Sequence, residues 1–176
     1  MTGLRALEPR DADAIYALLS DDRVIRYMLF PRFDQARART FVERYPTAAP
    51  TGSPQHVVFG IVAEGESALA GLCGLVLDAG SRQGELWYLL QPALWGRGLV
   101  TDAARALVTH GFSALGLHRV WASCLPENPA SARVLEKLGF RHEGVHRQNL
   151  LIRDVWKDSH TYAVLSREWR DTQADS

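Results

Sequence analysis

The segment from Glu85 to Gly116 constrains the fold of this chain more than any other part of the sequence. An apolar strand is predicted over residues 85–90, and Pro92 ends it. Glycines at positions 96 and 98 follow, and a helix is predicted over residues 98–115. Because glycines between a strand end and a helix start let backbone N–H groups close around an anion, the segment predicts a mixed α/β fold with an anion-binding turn.

The two glycines by themselves do not identify the ligand of this turn. They also permit a plain tight turn, which is the commoner reason for an isolated Gly-x-Gly. A dinucleotide fingerprint needs a third glycine where Thr101 stands, and a P-loop needs a Gly-Lys-Ser/Thr ending that the sequence does not have here. The loop therefore predicts an anion site of neither standard nucleotide type, to which Arg97 could add a positive charge.

The remaining elements follow from hydrophobic periodicity and turn residues. Strands are predicted at residues 3–8, 56–63, 68–77, 85–90 and 120–125, with two more within 140–165, and helices at 11–20, 34–45, 98–115 and 129–138. No linker divides this series, so we expect one domain over residues 1–170 and a disordered polar tail at 171–176.

Composition excludes several classes of ligand. Twenty Lys and Arg balance twenty Asp and Glu in 176 residues, and no long run of like charge occurs, so neither nucleic acid nor a membrane surface is expected as a partner. Cys73 and Cys124 lie in apolar stretches without metal-ligand spacing, and the N-terminus has charges where a signal peptide needs an apolar run. We therefore expect a soluble, cytoplasmic protein that is a monomer or a homodimer.

The second half of the chain resembles a known family. From Glu85 to Trp169 the sequence contains LWGRGLVTDAARALV, then GLHRVWASCLPENPASARVLEKLGFRHEGV, and closes with WKDSHTYAVLSREW. This half resembles the GNAT superfamily of N-acetyltransferases nearly continuously, and within it the ribosomal-protein (Rim-type) branch is the most similar. The first 84 residues match that family only in the order of their elements.

The resemblance implies a fold and a donor substrate. The fold would be an α/β (α+β) GNAT-like sheet of seven mostly antiparallel strands, with strands four and five splayed apart and about four helices around it. Acetyl-CoA would lie in the splay, its pantetheine arm pairing with strand four and its pyrophosphate meeting the glycine turn, without any metal. The residues implied in its binding are Leu89, Leu90, Gln91, Trp95, Gly96, Arg97, Gly98, Leu99, Val100, Thr101, Asn128, Ser131, Arg133 and Lys137.

The chemistry of amide formation assigns two further roles. The amine must be neutral when it attacks, and the departing thiolate needs a proton. Resemblance to the family implies Glu85 as the base, directly or through water, and Ser131 as the proton donor, although Asn128 and Ser131 are also ordinary helix-capping residues. Some Rim-type enzymes use an acidic residue later in the chain, where this sequence has Leu150, so weight shifts to Glu85 or to no dedicated base.

The acceptor is not identified by the sequence. Tyr27, Met28, Phe30 and Phe33 are expected to line its site, although such residues are more often part of a core. The Rim-type resemblance implies a protein N-terminal α-amine as the acceptor, and such an amine, with its lower pKa, tolerates a weaker base than a lysine does. A polyamine or aminoglycoside acceptor, and a domain that binds acyl-CoA without turnover, remain alternatives.

Residues 142–146, HEGVH, match the zinc-hydrolase pattern HExxH, with His160 or Glu168 available as a third ligand. That pattern requires a helix to bring both imidazoles to one metal ion. Gly139 ends the preceding helix, and Gly144 with Val145 favours a strand, in which residues four apart are about 13 Å from each other. The sequence therefore makes a metal hydrolase a remote alternative.

Overall fold

The computed structural model describes residues 2–45, 55–63, 65–78 and 80–174. Its seven strands form one sheet in the order β1-β2-β3-β4-β5-β7-β6. The strands are β1 Gly3–Arg5, β2 Gln55–Val62, β3 Leu69–Asp78, β4 Gln83–Leu90, β5 Arg119–Cys124, β6 Arg141–Ile152 and β7 Val155–Leu165. The helices are α1 Ala12–Ser20, α2 Asp22–Ile25, α3 Gln35–Arg44, α4 Leu99–Ser113, α5 Pro129–Lys137 and α6 Ser166–Ala174.

The predicted sheet, mostly antiparallel with a splay between strands four and five, is confirmed. Every neighbouring pair is antiparallel except β4 and β5. These two strands pair only where Gln83–Glu85 lies beside Arg119–Trp121. The rest of β4 therefore separates from β5 and leaves one edge without a neighbouring strand.

Each face of the sheet has its own core. Helices α4 and α5 pack on one face around residues such as Leu107 and Leu135, which are almost fully buried. Helices α1 and α3 pack on the other face around Leu18, Val42 and Leu72. The splay between β4 and β5 is the place where the two faces communicate.

The described residues contain two helices, α2 and α6, in addition to the four that the sequence predicts. Helix α2 is only four residues long and too charged for a periodic signal, but Asp21 caps it by accepting a hydrogen bond from the Arg23 N–H. Helix α6 continues through residues 171–174, within the tail for which the sequence predicts disorder. Its anchor is Trp169, which is 3% exposed and donates to Thr109 Oγ1 at 3.1 Å. That tertiary contact is invisible in a polar local sequence.

Strand β1 ends at Arg5, whereas the sequence predicts a strand that continues to residue 8. The loop predicted at residues 46–54 lies outside the described residues. Across the part of the chain that the structure describes, no helix has both the length and the apolar character needed to cross a bilayer.

Candidate active site

The turn before α4 has the conformation that the glycines predict. Gly96 and Gly98 adopt φ angles of 78° and 81°, a left-handed region that other residues enter only with strain. A Cβ atom built on either glycine would meet nothing within 4 Å. The glycines are therefore needed for the backbone path, and the space in front of them is open.

The N-terminus of α4 has no side-chain cap. Side chains cap α2, α3 and α5, where Asp21, Asp34 and Asn128 accept from backbone N–H groups, whereas Gly98 at the N-cap of α4 offers none. The first-turn N–H groups of α4 are thus left for an external acceptor, and the helix dipole adds positive potential at the same place. A diphosphate fits this donor set well.

A cavity of about 620 Å³ runs from this turn along β4 to the start of α5. All residues predicted to bind the donor line it, except Gln91 and Arg97. Those that line it are Leu89, Leu90, Trp95, Gly96, Gly98, Leu99, Val100, Thr101, Asn128, Ser131, Arg133 and Lys137. We call it the donor cavity.

Gln91 has a structural task instead of lining the donor cavity. Its side-chain amide donates to the Leu69 carbonyl at 2.7 Å, and its backbone N–H donates to the Ala70 carbonyl at 2.9 Å. Since the peptide is trans, the Leu90 carbonyl points to the opposite edge of β4, where Trp95 Nε1 donates to it at 2.8 Å. The open edge of β4 and the side chain of Trp95 therefore lie on the donor side, while Arg97 is exposed beyond the lining.

A second cavity of about 970 Å³ lies on the α1–α3 face, and we call it the acceptor cavity. All four predicted acceptor residues, Tyr27, Met28, Phe30 and Phe33, line it together with Glu85. Leu150, at the position where some relatives carry an acid, also lines it. Among the described residues that line this cavity, Glu85 is the only carboxylate.

The two cavities meet in the splay. Six residues line both of them: Tyr27, Met28, Tyr88, Leu89, Asn128 and Ser131. A group entering along α4 and one entering along α3 would reach each other here. We call these six residues the junction.

A hydroxyl pair occupies the junction. Ser131 Oγ and the Tyr88 hydroxyl are 2.9 Å apart, and the Tyr88 hydroxyl also donates to the Ser131 carbonyl at 3.2 Å. Burial raises the pKa of the Tyr88 phenol well above its usual value, although the Ser131 contact opposes this. Tyr88 therefore stays protonated and can donate. Asn128 has the expected capping role, since its Oδ1 accepts from the Ser131 N–H at 3.3 Å.

Tyr88 is the junction residue that the sequence did not single out. An aromatic residue on a strand indicates a core position, and Tyr88 does pack against the α4 face. The signal that could have identified it is strand alternation, since Leu86, Tyr88 and Leu90 share the face that carries α5. Nothing in the local sequence marks its hydroxyl as paired with Ser131.

Glu85 lies at the closed end of the splay, opposite Trp121 in the last paired position of β4 and β5. Tyr88 is three positions further along β4, which is about 10 Å along a strand. Burial raises the pKa of the Glu85 carboxyl, and no described hydrogen bond or ion pair involves that side chain. The geometry favours a base that acts through water over one that touches the amine.

Long-range hydrogen bonds hold residues 25–28, the segment that lies between the two cavities. Arg153, at the β6–β7 turn, donates to the carbonyls of Ile25 and Arg26 at 3.0 Å each. The Tyr27 hydroxyl donates to the Glu127 carbonyl at 3.1 Å, directly before α5. Because these partners are 100 or more positions apart, the sequence predicts Tyr27 and Met28 near the acceptor but not the contacts that fix them.

The HEGVH segment belongs to β6, so its predicted strand conformation is confirmed. His142 is opposite Tyr162 and His146 is opposite Ser159 in the β6–β7 ladder. The described residues contain no group of three or more His, Cys, Asp or Glu arranged to hold a metal ion. The His142 ring instead packs against the His160 and Tyr162 rings, with centroids 5.0 Å apart in both cases.

Comparison with known proteins agrees with the fold. Residues 2–141 match the model of the acetyltransferase (GNAT) domain. The chain is 30% identical over 166 residues to YnaD of Bacillus subtilis, an uncharacterized N-acetyltransferase, with 94% of both chains covered. A crystal structure of a GNAT-family acetyltransferase from Bacillus anthracis superposes with a TM-score of 0.85 at 30% identity, covering 95% of this chain and 96% of that one.

Two further relatives are named for different acceptors. The ribosomal protein uS5-alanine N-acetyltransferase of Escherichia coli is 31% identical over 84 residues, which is 48% of this chain and 43% of that protein. The spermidine N(1)-acetyltransferase of the same organism is 26% identical over 170 residues, covering 94% of this chain and 87% of that enzyme. These similarities leave the acceptor open.

Proposed function

The chain belongs to the GNAT acetyltransferase family, and from this premise we propose that it transfers the acetyl group of acetyl-CoA to the α-amine of a protein N-terminus. One observation carries the proposal. A cavity that starts at an uncapped helix N-terminus meets a second, larger cavity at a serine–tyrosine hydroxyl pair. Such a junction suits direct attack by the amine while donor and acceptor are both bound.

The donor side supplies backbone groups for acetyl-CoA. The first-turn N–H groups of α4 hold the diphosphate, and Arg133 and Lys137 on α5 face the same cavity with positive charge. The open edge of β4 offers backbone polar groups of Tyr88 and Leu90 to the amides of the pantetheine arm. The thioester then lies at the junction, where this donor supplies an activated acetyl group.

The base requirement favours an α-amine. A lysine with a pKa of about 10.4 costs about 4 kcal/mol to deprotonate at pH 7.4, whereas an α-amine of pKa about 7.8 costs about 0.5 kcal/mol. Glu85 is about 10 Å along β4 from Tyr88, so it can take the proton only through water. About a quarter of such an amine is already neutral at pH 7.4, so a base that acts through water is sufficient.

The acid requirement is met at the junction. Ser131 and Tyr88 are both neutral hydroxyls, and Ser131 lies on the first turn of α5 beside the donor cavity. Ser131 donates its proton to the departing thiolate, and Tyr88, hydrogen-bonded to it at 2.9 Å, resupplies or orients that proton. The thiolate also lies close to the N-terminal dipole of α5, which favours negative charge.

The test is acetyl-CoA turnover with a panel of acceptors, followed as free thiol. Short peptides with free N-terminal alanine or serine should release thiol, and the same peptides with a blocked N-terminus should not. Thiol release with spermidine or an aminoglycoside alone would replace the proposal with a small-amine enzyme. Acetyl-CoA binding by calorimetry without thiol release from any amine would replace it with a non-catalytic acyl-CoA domain.

A further inference from the structure

One face of α3 forms a charged wall of the acceptor cavity. Arg37, Thr40, Phe41 and Arg44 line that cavity, and their spacing of three, four and seven residues places them on one side of the helix. Arg39 lies on the same helix, is exposed and does not contribute to the lining. The helix therefore directs two of its arginines towards the acceptor and one elsewhere.

A row of aromatic rings lies along this wall. The rings of Phe30, Phe33, Phe41, Tyr45 and His56 follow one another with centroid separations between 4.9 and 6.1 Å. The guanidinium of Arg37 lies 4.6 Å from the Phe33 ring centre, and that of Arg44 lies 5.7 Å from the Tyr45 ring centre. Stacking on the rings holds both guanidiniums at the cavity without neutralising them.

Neither guanidinium has an ion-pair partner within the described ranges. Of the described residues that line the cavity, Arg37, Arg44, His56 and His146 are basic, and Glu85 is the single acid. Burial lowers the pKa of His56, and the positive charge of Arg44 lowers it further. The α3 side of the cavity is thus positively charged, and its arginines are available to an anion.

The distance from the junction to this wall suits a short peptide. His56, Val76 and Glu85 are opposite one another on adjacent strands, so His56 is about 10 Å across the sheet from Glu85. Glu85 is in turn about 10 Å along β4 from Tyr88. An extended chain that advances about 3.3 Å per residue covers the diagonal in about four residues.

We propose that Arg37 and Arg44 form an anion subsite that selects acceptor peptides with an aspartate or glutamate at the third to fifth residue. This rests on the proposed N-terminal acetylation and adds a substrate class to it. The peptide N-terminus lies at the junction, its apolar atoms follow the row of aromatic rings, and an acidic side chain meets one of the two guanidiniums, whose residues are seven positions apart on α3. A polyamine fits this subsite poorly, because its additional ammonium groups would face two unpaired arginines.

The test uses three hexapeptide amides that start with alanine and differ only at residues three to five, which are all Glu, all Gln or all Lys. The amide removes the C-terminal carboxylate, so that only side chains supply negative charge. We expect kcat/KM to fall about five- to tenfold from the Glu to the Gln peptide and further to the Lys peptide, mainly through KM. The preference should shrink at 1 M salt.

Variants locate the preference. The double variant Arg37→Gln with Arg44→Gln should lose the Glu preference and keep its acetyl-CoA affinity, whereas Arg39→Gln on the same helix should keep both. The reversed pair Arg37→Glu with Arg44→Glu should favour the Lys peptide. Thermal melting of each variant confirms that the fold is intact before the rates are compared.

The outcomes separate the two proposals. Equal kcat/KM for all three peptides in the wild type, or a preference that survives in the double variant, would overturn the anion subsite while N-terminal acetylation stands. Thiol release with spermidine and with none of the peptides would overturn the proposed function itself. A preference for the Glu peptide that is lost in the Arg37→Gln, Arg44→Gln double variant and kept in Arg39→Gln supports both proposals.

Discussion

The donor and acceptor cavities are built in different ways. The donor cavity depends on backbone: two glycines with positive φ, the free N–H groups of α4 and the open edge of β4. The acceptor cavity depends on side chains from residues 27–33, from α3 and from six strands, β2 to β7. A site made of backbone is insensitive to most substitutions outside the glycines, so the donor can stay fixed while the acceptor varies. Relatives named for ribosomal protein and for spermidine fit that division.

The two cavities also differ in charge. The donor cavity has a helix N-terminus and the cations of α5 at its outer end, which suit a diphosphate. The acceptor cavity combines two arginines with one carboxylate. Between them the junction carries only neutral groups, which suits a neutral amine and a thioester. Four sets of substitutions test this contrast, from the largest expected effect to the smallest.

Gly98→Asp should be the most damaging change, because it acts on the backbone site. It places a carboxylate where we propose that the diphosphate binds, and it should weaken acetyl-CoA binding at least about a hundredfold by calorimetry. The control is Gly98→Asn, which has nearly the same size and the same strain at a φ of 81° but no charge. Equal losses in the two variants would assign the effect to the backbone; unchanged affinity in Gly98→Asp would remove the diphosphate from α4.

Substitutions at the junction should lower turnover without changing either binding step. Ser131→Ala should reduce kcat about ten- to a hundredfold while acetyl-CoA affinity stays the same, and Tyr88→Phe should reduce it less. The double variant should be no worse than Ser131→Ala, since the 2.9 Å hydroxyl pair acts as one unit. Additive losses would show that the two hydroxyls act separately, and a wild-type rate for Ser131→Ala would remove its role as the acid.

The same contrast explains what the sequence could predict. The donor residues follow from two continuous stretches with strong turn and capping signals, so all except Gln91 and Arg97 line the predicted cavity. The side chain of Gln91 was unpredictable because its partner is the Leu69 carbonyl on β3. The sequence pattern indicated only that Arg37 and Arg44 lie on an exposed helix face, because their role depends on a cavity whose other walls come from strands distant in the sequence.

Helices show the same limit. Helix α3 was predicted because Asp34 caps it and its apolar positions repeat at helical spacing. Helix α6 was missed because one residue, Trp169, anchors it to α4 through a contact 60 positions away. Local signals predict elements that would form alone, and only tertiary packing reveals those that need a neighbour.

Glu85→Gln should lower kcat about tenfold, and its pH profile should show why. As the pH falls below neutral, the wild-type rate should decrease because both the amine and the Glu85 carboxylate become protonated, and burial raises the pKa of that carboxyl. The rate of the variant should decrease only because the amine becomes protonated. Because folding raises this pKa, the carboxylate costs stability once the pH exceeds its unfolded value. The variant should therefore melt no lower than the wild type at pH 7.4, and any gain should vanish at pH 4.

A lower melting temperature of Glu85→Gln at pH 7.4 would contradict the unpaired, desolvated carboxylate. An unchanged pH profile would assign the proton to bulk water. The second result would make the acceptor cavity a pure binding surface, which sharpens the comparison with the donor side.

Arg153→Gln should have the smallest effect and should fall on the acceptor side. The substitution removes the two hydrogen bonds to Ile25 and Arg26 that hold the segment between the cavities. It adds no backbone strain, since both side chains meet the same positive φ of 48°. We expect KM for the peptide to rise about three- to fivefold with kcat within twofold, because Tyr27 keeps its bond to Glu127. Arg147→Gln, on the same strand pair, is the matched control. A matching rise in the dissociation constant of acetyl-CoA would show that the segment serves both cavities equally and that the acceptor side is no more dependent on distant side chains than the donor side.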